Sequence, residues 1–101
     1  MSKILVVDDK EMMRDSVAAT LSRRRHTVVC AENGAAALER LSRRPFDVVI
    51  TDLQMPGLSG IELLQQLRQT DDQMPVILMT AYGTVDTAVE AMKLGAFDYI
   101  T

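Results

Sequence analysis

DVVITDLQMPGLSGIELL, residues 47–64, passes from an apolar run to an acid, then a turn, then a helix start. Val48 to Ile50 is short, continuous and β-branched, the pattern of a strand buried on both faces. Pro56-Gly57 marks a turn. Ser59-Gly60-Ile61-Glu62 has the form of a capping box opening a helix. Ile61, Leu64 and Leu67 then recur three apart. The stretch is one strand–helix unit, and the sequence on either side repeats it. Ile4 to Val7, Val28 to Ala31 and Val76 to Met79 are further strand-like runs. Met13, Val17 and Leu21 recur four apart, and Leu38 and Leu41 follow Ala35. Val85, Ala88, Val89 and Met92 match the i, i+3, i+4, i+7 helix template. Gly95 falls where a fourth helix should stop, and Phe97 to Ile100 reads as a fifth strand. Strict alternation of this kind predicts an α/β fold: a doubly wound parallel sheet with right-handed crossovers and helices on both faces.

The 101 residues fit one domain, 1–101, with one core. Hydrophobic residues make up 48% and charged residues 25%, with a net charge of −3. No run approaches the roughly 20 apolar residues of a membrane span, and the N-terminus does not read as a signal peptide. Cys30 is the single cysteine and lies in an apolar run, which excludes a disulfide framework and predicts a buried, reduced thiol in a cytoplasmic protein. Arg23, Arg24, Arg25 and His26 fall at an expected helix C-terminus, where cations complement the dipole. No aromatic residues are interleaved with them, so direct nucleic-acid contact is not expected.

Ligands of an open parallel sheet bind beyond the carboxyl ends of its strands. Those ends carry Asp8 and Asp9 after the first strand, Asp52 after the third and Thr80 after the fourth. Any one of these acids reads alone as a helix cap or turn residue; Asp9 could cap the first helix. Together they read differently. Two carboxylates about 4 Å apart repel by roughly 4 kcal/mol at an effective dielectric near 20, so the cluster must take up a proton or hold a cation. Hard oxygen donors, few of them supplied by protein, suit Mg²⁺. Beside a cation, Asp52 can act as nucleophile towards an activated phosphoryl group, and Thr80 can donate its hydroxyl to a phosphate oxygen.

KILVVDD, DVVITDLQMPGLSGIELL and PVILMTAYG together resemble the receiver (CheY-like) domains of two-component response regulators. The resemblance runs along essentially the whole chain with the spacing between motifs kept. It implies a five-stranded sheet in the order 2-1-3-4-5, with Asp52 as the phosphoacceptor for a sensor histidine kinase. It also implies Asp8 and Asp9 as the acidic pair at Mg²⁺, Asp9 binding directly and Asp8 mainly through water. The main-chain carbonyl of Gln54 completes the protein's share of the metal site. Thr80 is implied as the switch hydroxyl, Tyr99 as the aromatic that turns inward with it, and Tyr82 as a residue at the mouth of the site; Tyr99 also reads as plain core filling. AYGTVDTAVEAMKLGAFDYI is similar to receivers of the NtrC-like group, which implies a role in transcription through ATPase and DNA-binding output domains that this chain does not contain.

Family members carry a Lys-Pro pair directly after the fifth strand and then a fifth helix, whereas this sequence ends at Thr101. The expectation is therefore a receiver cut short before its last helix, impaired in phosphorylation or switching, and self-associating through the apolar face so exposed. A phosphatase of the haloacid dehalogenase type would need a second acid two residues after the nucleophile, where Gln54 stands. A flavodoxin would place a phosphate loop where Asp8-Asp9 repel one. A receiver-shaped adaptor without chemistry has no use for clustered acids, although the missing lysine favours it. The chain is thus expected to be a phosphoacceptor, not a turnover enzyme.

Overall fold

The computed structural model describes residues 1–71, 73–80 and 84–100. Strands β1 (Lys3–Val7), β2 (Thr27–Ala31), β3 (Val48–Asp52), β4 (Val76–Met79) and β5 (Asp98–Ile100) alternate with helices α1 (Glu11–Arg23), α2 (Gly34–Arg43), α3 (Gly60–Thr70) and α4 (Val85–Lys93). All pairings are parallel, in the order β2-β1-β3-β4-β5. The predicted fold class and order are both present.

Register divides the strand residues between two faces. Ala31, Val7, Thr51, Leu78 and Tyr99 align across all five strands. The apolar members of this row, with Leu5, Val49 and Val76, meet Ala37 of α2, Leu63, Leu64 and Leu67 of α3 and Ala91 of α4 in one core cluster. The opposite face is covered differently. Its Ile4 and Val6 are buried, but Val28, Cys30, Ile50, Ile77 and Met79 are only half-buried, and Ile100 is 45% exposed. Helix α1, which has no fully buried residue, takes no part in the cluster. Three helices thus pack on one face and one on the other.

Burial corrects three expectations. Met13, at the head of the predicted Met13–Val17–Leu21 stripe, is 42% exposed. Cys30 is half-buried, not buried, although burial still pushes its thiol pKa up. In α2 the expected Ala35 position is exposed, while Ala37 is buried beside the half-buried Ala36, Leu38 and Leu41. Gly34 and Ala37 are the buried positions of this helix.

The local signals formed as read. Ser59 caps α3, its Oγ accepting from the Glu62 N–H while the Ser59 N–H donates to Glu62 Oε1. Gly95 adopts φ 94° just beyond α4. Arg25 takes φ 66° after α1, and Arg23 donates its Nε to the Ala19 carbonyl. The Arg23–His26 tetrad therefore closes a helix, as expected.

Candidate functional site

The hydrogen-bonded register that pairs Val7 with Thr51 brings the ends of β1 and β3 side by side. Asp8 follows β1 directly; Asp52 is the last residue of β3, one step further into the strand than the sequence had implied. One carboxylate oxygen from each of Asp8, Asp9 and Asp52 lies within 4.8 Å of the others. Asp8 and Asp52 are buried and Asp9 is exposed. Thr80, the residue after β4, is buried beside this edge, and its N–H donates to the Ile100 carbonyl. Gln54 is exposed two residues after Asp52. Tyr82 lies outside the described residues.

Asp9 does not cap α1. The cap position is Lys10, which makes no capping bond through its side chain. Asp8 instead orders the turn, its Oδ1 accepting from the Lys10 N–H at 2.9 Å while its carbonyl accepts from Arg14 Nη1 at 2.9 Å. Lys10 reaches back over the acids. Its Nζ stands 3.2 Å from Asp52 Oδ2, 3.3 Å from Asp9 Oδ1 and 3.8 Å from Asp8 Oδ1. Reading the acids alone missed Lys10, although its place directly after Asp8-Asp9 is plain in the sequence.

The loop after β3 is held from beneath. The Gly60 N–H donates to the Leu53 carbonyl at 2.8 Å, and a side chain at Gly60 would strike the Asp52 carbonyl oxygen. The first turn of α3 thus rests directly on the backbone that carries Asp52.

Burial is the main cause that holds the Asp8 carboxyl above the ordinary value of 3.8, and the Asp52 and Asp9 charges add to it against the Lys10 N–H and ammonium. Hydrogen bonds to Asp52 and then Asp9 hold the Lys10 ammonium above its ordinary value. Three clustered carboxylates against one ammonium leave excess negative charge on hard oxygen donors, which fits a small divalent cation.

A stability prediction follows for the metal-free protein. Because folded Asp8 binds its proton more tightly than the unfolded chain, its stabilising contribution is complete below pH 3.8 and is lost as pH rises through the folded value. Asp8→Asn should therefore melt a few degrees higher than the parent at pH 7 in EDTA, and lose that advantage at pH 3. Thermal melts at the two pH values check this.

A doubly wound parallel sheet with three clustered carboxylates at the carboxyl ends of two central strands is an α/β domain with its polar site where such sheets bind ligands. Residues 4–101 match the response regulator receiver domain model, and the chain belongs to that family. It is a receiver domain of two-component signalling. It is 43% identical over 99 residues to the response regulator protein PilR of Pseudomonas aeruginosa, covering 98% of this chain and 22% of that protein. It is 41% identical over 97 residues to the DNA-binding transcriptional regulator NtrC of Escherichia coli, covering 96% and 21%. The response regulator TrrA of Thermotoga maritima, solved in complex with Mg²⁺-BeF, superposes with a TM-score of 0.91 at 33% identity, covering 100% of this chain and 86% of that one. The chain therefore spans about a fifth of the length of its NtrC-like relatives. Among the described residues no helix is long and apolar enough to cross a membrane.

Proposed function

We propose that Asp52 accepts a phosphoryl group from the phosphohistidine of a sensor kinase, and that the phosphorylated domain switches an output domain controlling transcription. The observation that carries this reading is the convergence of Asp8, Asp9 and Asp52 from two strand ends, with buried Thr80 directly after the next strand. Asp8, Asp9, Asp52 and the main-chain carbonyl of Gln54 are the residues that would hold Mg²⁺. When bound, Mg²⁺ supplies positive charge that neutralises the transferring group. Asp52 supplies the carboxylate oxygen that forms the new bond to phosphorus as the bond to the kinase histidine breaks. Its carbonyl accepts from Thr51 Oγ1 at 3.0 Å, which steadies the strand end behind it. Thr80 donates its hydroxyl to the phosphoryl group.

The test is intact mass after incubation with acetyl phosphate and Mg²⁺. A gain of one phosphoryl group, lost when Mg²⁺ is chelated, is expected; no gain in any condition would remove the phosphoacceptor reading.

The same reading assigns the switch to Thr80 and Tyr99. Tyr99 is half-buried against the core, and its hydroxyl shares a 2.7 Å hydrogen bond with Thr87 Oγ1. Thr87 in turn forms the capping box of α4 with Thr84. Movement of the Tyr99 ring would therefore break a bond to the first turn of α4. Thr80→Ala is expected to gain the same phosphoryl mass while losing most of the amide chemical-shift change over 84–93. A full shift response in that variant would show that the hydroxyl does not couple the two. A cytoplasmic location belongs to this reading, as does association between copies through the half-covered sheet face, supported by the exposure of Ile100 and Met13.

A further inference from the structure

We propose that Lys10 is a tethered resident cation of the carboxylate trio, which a divalent ion has to displace, so that Lys10 sets the affinity of the site for metal. The inference rests on reading Asp8, Asp9 and Asp52 as a cation site. The ammonium bonds to Asp52 Oδ2 and Asp9 Oδ1 and pairs more loosely with Asp8 Oδ1, the oxygens of the very groups a metal would need. The side chains of Asp8 and Asp52 are only 7% and 9% exposed, so water alone cannot solvate their charges, whereas the Lys10 side chain is 58% exposed. The acids are fixed and the cation is free to leave. Lys10 can swing into solvent on its flexible stem without unmaking a helix cap, because its side chain caps nothing. Arg14 does not take its place, since its guanidinium is engaged with the Asp8 main chain. One ammonium balances one of three charges, and a divalent ion balances two. Exchange of the first for the second is therefore electrostatically downhill but opposed by the bonds Lys10 gives up.

The measurement is Mn²⁺ binding, followed by water-proton relaxation at fixed ionic strength, for the parent, Lys10→Met, Lys10→Arg and Lys93→Met. Loss of the competing ion pairs should tighten Mn²⁺ binding by Lys10→Met about tenfold. Lys10→Arg should fall back towards the parent. Lys93 ends α4, at the opposite end of the domain from the strand carboxyl ends, so Lys93→Met removes the same charge through salt-screened distance and should stay within about twofold of the parent. Equal affinities in the parent and Lys10→Met, or equal tightening in Lys93→Met, would overturn the proposal. The reading of the trio is checked separately by Asp9→Asn. Binding by the parent that Asp9→Asn weakens, with Lys10→Met unchanged, sinks the role of Lys10 alone. No saturable binding by any form sinks both.

Discussion

Asp52→Asn is expected to take up no detectable phosphoryl group from acetyl phosphate and Mg²⁺, a loss of at least about a thousandfold in rate. The three acids differ in what each can offer. Asp8 is tied by its Oδ1 to the Lys10 N–H, and burial holds its carboxyl above the ordinary value. Asp9 is the most exposed of the three and sits on the turn. Asp52 closes the central strand β3, flanked by β1 and β4, with Thr80 one residue beyond its register partner Met79. An amide at this position keeps the shape and can still accept from Lys10 Nζ, but it has neither the charge nor the nucleophilicity of a carboxylate. The fold should survive, since repulsion within the trio is relieved, and a thermal melt no lower than the parent's would show this. Intact mass reads the chemistry. Uptake equal to the parent's would move the acceptor role to another side chain.

Gly60→Ala should lower the free energy of unfolding by about 2–3 kcal/mol, or about 10–20 °C in melting temperature. Helix propensity alone argues the other way, because alanine in a helix is favoured over glycine by about 1 kcal/mol. Packing decides. The added methyl group would meet the Asp52 carbonyl oxygen and, at 3.0 Å, the Leu53 Cα, both main-chain atoms that cannot rotate aside. Relief requires α3 to lift or the Asp52 peptide to shift, and either change disturbs the site. Phosphoryl uptake should fall together with stability. Gly57→Ala is the contrasting variant. Its position has φ 77° with no atom within 4 Å of the added carbon, so only the left-handed backbone is penalised, by about 1–2 kcal/mol. Its uptake should match the parent's. Denaturant melts of both variants, read beside their mass gain, separate collision from backbone strain.

The fold was legible because its signals are local and repeat. Apolar runs of strand length, helical apolar spacing, the Ser59–Glu62 box and Gly95 each act within a few residues, and together they located the strands and helices of the described residues. The acids were legible as a set because strand ends in a parallel sheet share one edge. What escaped the sequence depended on packing between elements. Periodicity in α1 could not reveal that its face of the sheet is thinly covered, nor could Ala35, Leu38 and Leu41 show that Gly34 and Ala37 are the buried positions of α2. Lys10 was overlooked because its partner Asp52 is 42 residues away. Gly60 read as part of a cap; its closeness to the Asp52 carbonyl belongs to the tertiary structure.

The half of the sheet that carries Tyr99 is lightly anchored. Among the described residues β5 is three residues long and pairs with β4 alone, and Ala91 is the sole fully buried residue of α4. β1 and β3, by contrast, are enclosed by neighbours on both sides. Opening of β5 and α4 as a unit is therefore expected to require less free energy than unfolding of the domain, which native-state amide exchange would show as lower protection over 85–100 than over β1 and β3. On the proposed reading, a phosphoryl charge on Asp52 needs only to bias this opening. The carboxylates stand at the ends of the enclosed strands and the proposed switch residue Tyr99 on the edge strand, so mutations are expected to alter chemistry and readout separately.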